Sequence, residues 1–517
     1  MKKKLLSKIL SLSLTAAMTA GMLAGCGNKN DSSDTPDTGN ETTSESAAGQ
    51  EKEETPAAEG NENKAKINIY RASFNIAAPD SAEVQKIQDA INEYIGDKIN
   101  VEIAINDVGS GEYGDKANLA LSNGEINLLW TANWAALPPD ALYSQNAAYD
   151  ITDLIEGTTL YDSMPEAIWD SASYNSRIYF IPIYKESAEG YDLVLPQRLA
   201  DKYGWDLSSI KELKDIEPML ADCKEEGLKY PFLTQMMNLF YRFYIDKYDF
   251  FSKSSLMAVD RETDTVVNTL MTDDYADFCK LMCRWGALGY ISDEEVTKTT
   301  PATAVMTQDW GFAAWVDVPD NGAADSTYGQ ECAIVPLTDR WSHSTSTLGS
   351  CYAITSACTE EQAKACIDFL GLLYTDNTLG DLWTYGIEGT DYDVVDGYVV
   401  KKGGLYDHSA WESGSIKSIS LEEGEPENRV ELYEAFNQES LSSCASGFRF
   451  DGTSVEAQNA ACTNVYNQYG YVLEQGGYNE ADVDSIIQEF QNALDEAGYQ
   501  DILKEAQDQY EAWKATK

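Results

Sequence analysis

Ile67-Asn68-Ile69-Tyr70 and Ile99-Asn100-Val101-Glu102-Ile103-Ala104-Ile105 decide the fold class. The second run alternates in the manner of a strand, and between the two the stretch Ala82 to Ile95 carries apolar residues at helical spacing. A helix over Tyr113 to Leu121 and a strand over Ile126 to Thr131 follow. Strand, helix, strand, helix, strand is the order of a parallel sheet covered by helices, which places the chain in the α/β class. Ligands of such sheets gather beyond the carboxyl ends of the strands. Those ends are Ser73-Phe74-Asn75, Asn106-Asp107 and Asn133-Trp134. Gly109-Ser110-Gly111 lacks the Gly-Lys-Ser/Thr of a phosphate loop and reads as a linker before a helix.

Towards the N-terminus, Lys2, Lys3, Lys4 and Lys8 precede an uncharged run from Ile9 to Ala24, the pattern of a secretory signal. The run falls short of the roughly 20 residues that span a bilayer. Leu23-Ala24-Gly25-Cys26 resembles the bacterial lipobox, which implies cleavage after residue 25 and acyl chains on Cys26. Two or three chains make a stable anchor where one holds only marginally. Residues 26–65 then read as the lipidated cysteine and a disordered acidic linker, since Asn, Ser, Thr, Asp, Glu, Gly, Pro and Ala bury too little to offset ordering entropy. The expected location is the outer face of the cell membrane, held by lipid.

The roughly 450 residues that remain are too many for one core and suit two lobes. Hydrophobic residues make up 43% and aromatics 11%, enough for a core with aromatic side chains left for a cleft. A formal net charge of -49 repels phosphate backbones, which argues against nucleic acid as a partner. Beyond Cys26 the nine cysteines form no paired framework or zinc spacing, and His343 and His408 are the only histidines, so neither a metal nor a cofactor is expected.

Towards the C-terminus, Gly124-Glu125-Ile126-Asn127-Leu128-Leu129-Trp130, then Ile151-Thr152-Asp153-Leu154, then Tyr179-Phe180-Ile181-Pro182 resemble, in order and spacing, the family 1 extracellular solute-binding proteins of carbohydrate ABC importers. Arg177 to Glu186 reads as the buried strand leaving the first lobe. Tyr191 to Leu195, Pro231 to Gln235, Ala313 to Val316 and Ile334 to Leu337 look like second-lobe strands, and Lys211 to Lys224 like one of its helices. Gly349 to Ser356 resembles the return strand, and Tyr385 to Val395 a lipoprotein subgroup with a C-terminal extension. Ala481 to Trp513 repeats apolar residues at helical spacing, as a helical cap does.

The resemblance implies a periplasmic-binding-protein-like (type II) two-lobed flytrap with a ligand cleft between lobes. Its expected divisions are residues 1–25 signal peptide, 26–65 linker, 66–184 first part of lobe 1, 185–345 lobe 2, 346–395 return to lobe 1, and 396–517 C-terminal extension. It further implies a non-enzymatic monomer that captures a sugar or oligosaccharide and hands it to the permease subunits of an ABC importer. Trp134, Tyr184, Trp310, Trp315 and Trp341 are the aromatic candidates for the cleft, with Asn75, Asn133, Glu186, Gln235, Asp317 and Glu388 as polar partners. Aromatic faces cover the C–H faces of a pyranose while carboxylates and amides take its hydroxyls. Each has a plainer reading. Tryptophans near strand ends often pack a core, Tyr184 and Glu186 suit a hinge, Asn75 and Asn133 suit turns, and Glu388 suits a solvated loop. Two rivals stand beside this reading: the same fold holding a peptide or a cationic osmolyte, and a surface-anchored glycoside hydrolase with a carboxylate pair.

Overall fold

The computed structural model describes residues 64–234, 238–251, 256–296, 309–319, 322–343 and 346–517. The signal segment, Cys26 and nearly all of the linker, together with Gln235, lie outside the described residues. No helix among the described residues is long and apolar enough to cross a membrane.

The first lobe is built on β1 (Ala65–Ser73), α1 (Ser81–Ile95), β2 (Val101–Gly109), α2 (Ser110–Ser122), β3 (Leu128–Thr131) and β4 (Phe180–Pro182), and is completed by β9 (Cys351–Ile354). Its sheet runs in the order β2-β1-β3-β9-β4. β1 is parallel to both β2 and β3, while β9 is antiparallel to β3 and β4. Ile103 and Ile105 of the edge strand β2 are buried while Glu102 and Ala104 face solvent, so its alternation is that of a strand covered on one face. Asp80 caps α1, accepting from the backbone N–H groups of Ala82 and Glu83 at 2.9 and 3.1 Å.

The second lobe holds β5 (Tyr191–Pro196), β6 (Tyr230–Leu233), β7 (Trp310–Val316) and β8 (Cys332–Pro336), in sheet order β8-β5-β7-β6. The ends of the two sheets that face the crossings can be read from the register. Cys351 at the start of β9 lies opposite Thr131 at the end of β3 and Pro182 at the end of β4. In lobe 2, Tyr191 at the start of β5 lies opposite Val316 at the end of β7. The chain passes between lobes through Ile183 to Gly190 and returns through Leu337 to Ser350. These two passes are tied by reciprocal backbone hydrogen bonds of 2.9 Å between Glu189 and Trp341. A third pass follows Gly414 to Leu441, beginning where Tyr184 pairs with Ser415 and ending where Trp341 pairs with Leu441.

Three elements differ from their sequence reading. The strand expected over Arg177 to Glu186 spans Phe180 to Pro182 alone, because Pro182 has no N–H to continue a ladder and the chain beyond it pairs with the third pass. The helix expected over Lys211 to Lys224 is a 3-10 turn at Leu213–Ile216 followed by a helix at Glu217–Glu226, since Pro218 fits a first helical turn and not an interior. The expected cap over Ala481 to Trp513 divides into Val483–Glu496 and Tyr499–Lys514, because Gly498 takes a left-handed backbone at φ 93°.

The C-terminal helices share one core with lobe 2. Cys462, Tyr466, Leu473, Ile487, Phe490 and Tyr499 pack with Tyr275, Cys279 and Met282 of the helix Asp273–Leu288. Gly286 permits the approach, as a Cβ there would stand 2.2 Å from the Gly476 carbonyl oxygen. Phe490 is fully buried and stacks on Tyr469 with ring centroids 5.4 Å apart. Phe490→Ala is therefore expected to cost about 3–5 kcal/mol. Urea unfolding should show lobe 2 and the C-terminal helices losing stability together; loss confined to the last helices would contradict the shared core.

Candidate functional site

At the crossing end of lobe 1 the strand ends bring four aromatic rings together. Phe74 follows β1, Trp130 lies in β3, Trp134 follows it, and Trp411 arrives from the segment beyond the return strand. Phe74 stands 5.3, 5.6 and 5.0 Å from Trp130, Trp134 and Trp411, and Trp134 stands 5.9 Å from Trp411. Trp130 is buried and donates its indole N–H to Ser350 Oγ at 3.0 Å. Trp134 is 45% exposed, yet its indole N–H donates to the Gly349 carbonyl at 2.8 Å, so an open ring face is held at fixed orientation. Asn75 is exposed at the rim and donates to Ser409 Oγ at 3.2 Å.

Trp411 owes its place to buried charges beneath it. Arg71 of β1 donates to Asp107 of β2 through Nε and through Nη2, the latter at 3.0 Å, and to the Trp383 carbonyl at 2.8 Å. His408 Nε2 lies 3.1 Å from Asp107 Oδ2, and its Nδ1 lies 3.4 Å from Glu412 Oε1. Glu412 Oε1 also accepts the Ser409 backbone N–H at 2.8 Å and closes the turn Ala410–Glu412 that carries Trp411. Burial pushes the Asp107 carboxyl up, but Arg71 and His408 outweigh it and hold its pKa well below the ordinary carboxylate range. Burial and the Arg71 charge lower the His408 pKa, and the attraction and hydrogen bonds of Asp107 and Glu412 outweigh them, leaving it raised. Asn106 and Asp107, read as cleft-facing from the sequence, thus serve the sheet, for Asn106 donates to Asn68 Oδ1 at 2.6 Å.

Lobe 2 presents a cavity of about 830 Å³ at its own crossing end, walled by Trp315, Asp317 and Pro319 of β7 and its extension, Asp192 of β5, Ile334 of β8 and Arg340. Trp315 lies opposite Asp192 across the β5–β7 pair, and the Asp317 N–H donates to the Gly190 carbonyl at 2.9 Å. Since side chains two apart on a strand share a face, Asp192, Trp315 and Asp317 look out together. Arg340 Nε donates to Asp317 Oδ2. Burial, then the Asp317 charge, push the Asp192 carboxyl up to about 7 against the pull of Arg340.

The remaining sequence candidates are placed as follows. Asn133 is half-buried beside Trp134, its backbone N–H donating to the Leu348 carbonyl at 3.0 Å. Trp310, expected at the cleft, is instead fully buried inside lobe 2, its ring 4.5 Å from Tyr328, because it opens β7 at the end away from the crossings. Tyr184 is likewise buried, with Lys417 Nζ 4.5 Å from its ring, and belongs to the passes between lobes. Glu186 forms an ion pair with Lys185 in the first pass. Trp341 is held in the second pass by its indole N–H to Asp246 at 2.8 Å and by Arg261 4.0 Å above its ring. Glu388 is exposed on the loop before the hairpin of Tyr392–Val395 and Tyr398–Lys401. Trp411, Asp192 and Arg340 were not singled out by sequence reasoning, and Phe74 entered it only as part of a strand end. Ser409-Ala410-Trp411-Glu412 carries the spacing of a capping box, a signal that marks the turn but not its neighbours.

Asp107→Asn is expected to cost about 3–5 kcal/mol at pH 7, since it leaves Arg71 and His408 without their shared carboxylate. The Asp107 pKa is depressed on folding, so the carboxylate's contribution is present above about pH 4 and is lost as the pH falls towards its folded value. Denaturant unfolding at stepped pH should therefore show the gap between wild type and variant narrowing below about pH 4. A gap constant with pH would refute the charge account.

Residues 444–515 match a family model described as a domain of unknown function, DUF3502. A carbohydrate ABC transporter substrate-binding protein of Streptococcus pneumoniae serotype 4 is 25% identical over 449 residues, covering 82% of this chain and 87% of the relative. Among solved structures, the N-glycan transport solute binding protein NgtS of Streptococcus pneumoniae is similar with a TM-score of 0.74 and 23% identity, covering 88% of this chain and 100% of that one. Its complex with Man5GlcNAc gives 0.67 and 22%, covering 88% and 100%. An HMO-binding, ABC-transporter-associated solute binding protein of Bifidobacterium longum infantis gives 0.59 and 15%, covering 87% and 99%. The chain has the two-lobed α/β fold of these solute-binding proteins.

Proposed function

We propose that this chain is the substrate-binding protein of a carbohydrate ABC importer, capturing an oligosaccharide outside the membrane and delivering it to permease subunits. The aromatic floor of Phe74, Trp134 and Trp411 carries the reading. Three rings locked at the crossing end of a lobe offer flat apolar faces to the C–H faces of pyranose rings, and little of their ordering entropy is left to lose on binding. The near full-length likeness to a carbohydrate ABC transporter substrate-binding protein supports the same class. Signal, lipobox and linker support Cys26 as the acylated anchor on the outer face of the membrane. Neither the peptide or osmolyte ligand nor the hydrolase is favoured by the similar proteins, which are named as transport binding proteins of glycans.

Closure follows from a ligand that touches both half-sites, since only differential affinity for the closed state shifts the equilibrium. Titration calorimetry of the full chain should give saturable binding of Man5GlcNAc or another pyranose oligosaccharide, with peptides and quaternary amines silent. Trp411→Ala should weaken it by about 10- to 100-fold, as one ring of the floor is worth about 1.5–3 kcal/mol. Peptide binding without glycan binding would discard the carbohydrate.

A further inference from the structure

Asp192 is the one group of the lobe 2 cavity whose burial the fold leaves unexplained. It is only 3% exposed, it lines the cavity, and its Oδ1 has no hydrogen-bond partner among the described residues. An acceptor without a donor costs free energy, and at the wall of a cavity a donor from a bound molecule would recover it. Its neighbours fit that use. Trp315 stands directly across the strand pair, offering a ring beside the acceptor. Asp317 lies diagonally, at the roughly 7–8 Å spacing of such neighbours, and is oriented by Arg340. Gly190 supplies no side chain to fill the space, and a Cβ there would come within 3.1 Å of the Asp339 carbonyl oxygen and 3.4 Å of Asp317 Cβ. Among the described residues no cluster of three or more His, Cys, Asp or Glu side chains is arranged to hold a metal ion.

We propose that Asp192 and Asp317 are an acceptor pair for two adjacent hydroxyls of one pyranose ring laid on Trp315, and that Asp192 determines which pyranose lobe 2 accepts. The inference rests on the carbohydrate reading above and adds the chemistry of its second half-site. Arg340 offsets one of the two carboxylates, so a neutral polyol completes the site without importing charge. A hydroxyl donating to Asp192 favours its ionised form, so binding draws a proton off a carboxyl that burial holds at about 7 in the empty protein. The other charged groups facing this cavity, Asp325, Asp339, Glu439 and Arg340, are distinct from the reporter.

The test is calorimetric titration of the full chain with Man5GlcNAc and a panel of pyranose oligosaccharides at pH 5.5 to 8.5, for wild type and Asp192→Asn. Wild-type affinity should fall by about tenfold as the pH drops from 8 to 6. Asp192→Asn should bind about 10- to 100-fold more weakly at pH 8, with a flat pH profile. Wild-type affinity and pH dependence in the variant would overturn the proposal while leaving the carbohydrate reading intact. A wild-type chain that binds none of the panel would remove that reading and this inference together. Tighter binding of glucosamine oligomers than of their N-acetylated forms would overturn the hydroxyl assignment in favour of an ammonium. A second arm needs no ligand. Because the Asp192 pKa is raised on folding, its ionisation destabilises the empty protein as the pH rises from about 4 towards 8. Asp192→Asn should then melt higher than wild type at pH 8 and level with it at pH 4, whereas a lower melting temperature at pH 8 would assign Asp192 a structural donor and overturn the proposal.

Discussion

The buried pair of Arg71 and Asp107, extended through His408 to Glu412, is the contact on which the shape of lobe 1 depends. It joins the carboxyl-terminal parts of β1 and β2 to a segment some 300 residues further along the chain. Burying four ionisable groups is costly, and an apolar substitute of the same volume would be as stable or more so. What the charges supply is position. Arg71 is bound on one side by the Trp383 carbonyl and packed 4.0 Å over the Trp383 ring, so its fork points in one direction. His408 takes a carboxylate on each ring nitrogen, which fixes its plane, and Glu412 spends one oxygen on both His408 and the Ser409 N–H. Trp411 lies inside that closed turn and has little freedom to leave the floor.

Lobe 2 is organised differently, because the C-terminal helices are part of its core and not a separate appendage. Lobe 2 and the helices of residues 444–515 are therefore packed as one body. Three passes join the lobes, and two of them are clamped together at Glu189 and Trp341. His343 Nε2 lies 3.0 Å from Glu189 Oε2 and the Tyr241 hydroxyl donates to the same oxygen at 2.8 Å, so the clamp is polar and buried. The C-terminal helices also reach the first lobe, where Arg449 Nη2 donates to the Ser171 carbonyl at 3.0 Å and the guanidinium lies 4.8 Å from the Tyr174 ring. That contact is a further tie between the C-terminal segment and the first lobe.

Periodicity made the βαβαβ opening legible, since α1 and β2 carry strong patterns over many residues and need no distant partner to be recognised. It failed where a single residue overrides the pattern, as Pro182, Pro218 and Gly498 do. The floor was half legible. Trp134 and Asn75 follow strand ends, where a parallel sheet delivers its ligands, but Trp411 comes from a loop that only the charge network brings to the same place. Trp310 misled because the same rule depends on which end of a strand a residue occupies: Trp315 and Asp317 close β7 at the crossings, and Trp310 opens it at the far end. Asp192 was invisible for the opposite reason. An aspartate inside Tyr-Asp-Leu-Val-Leu reads as one polar position on a buried strand, and its missing donor is a property of the folded cavity.

On the proposed carbohydrate reading, the two half-sites differ in the physics they offer a ligand. The lobe 1 floor is apolar and preformed, a surface suited to many pyranose faces with little directional preference. The lobe 2 carboxylates are directional and largely buried, a surface suited to rejecting a ring whose hydroxyls point elsewhere. A sugar that satisfies only the floor gains the same energy whether the lobes are apart or together, and leaves their equilibrium unmoved. On the same proposal, one that also supplies donors to Asp192 and Asp317 would gain a second set of contacts in a closed state, and that increment is what would drive closure. The proposal thus traces selectivity and closure to the same two carboxylates, with the stability given up at Asp192 in the empty protein as their common condition.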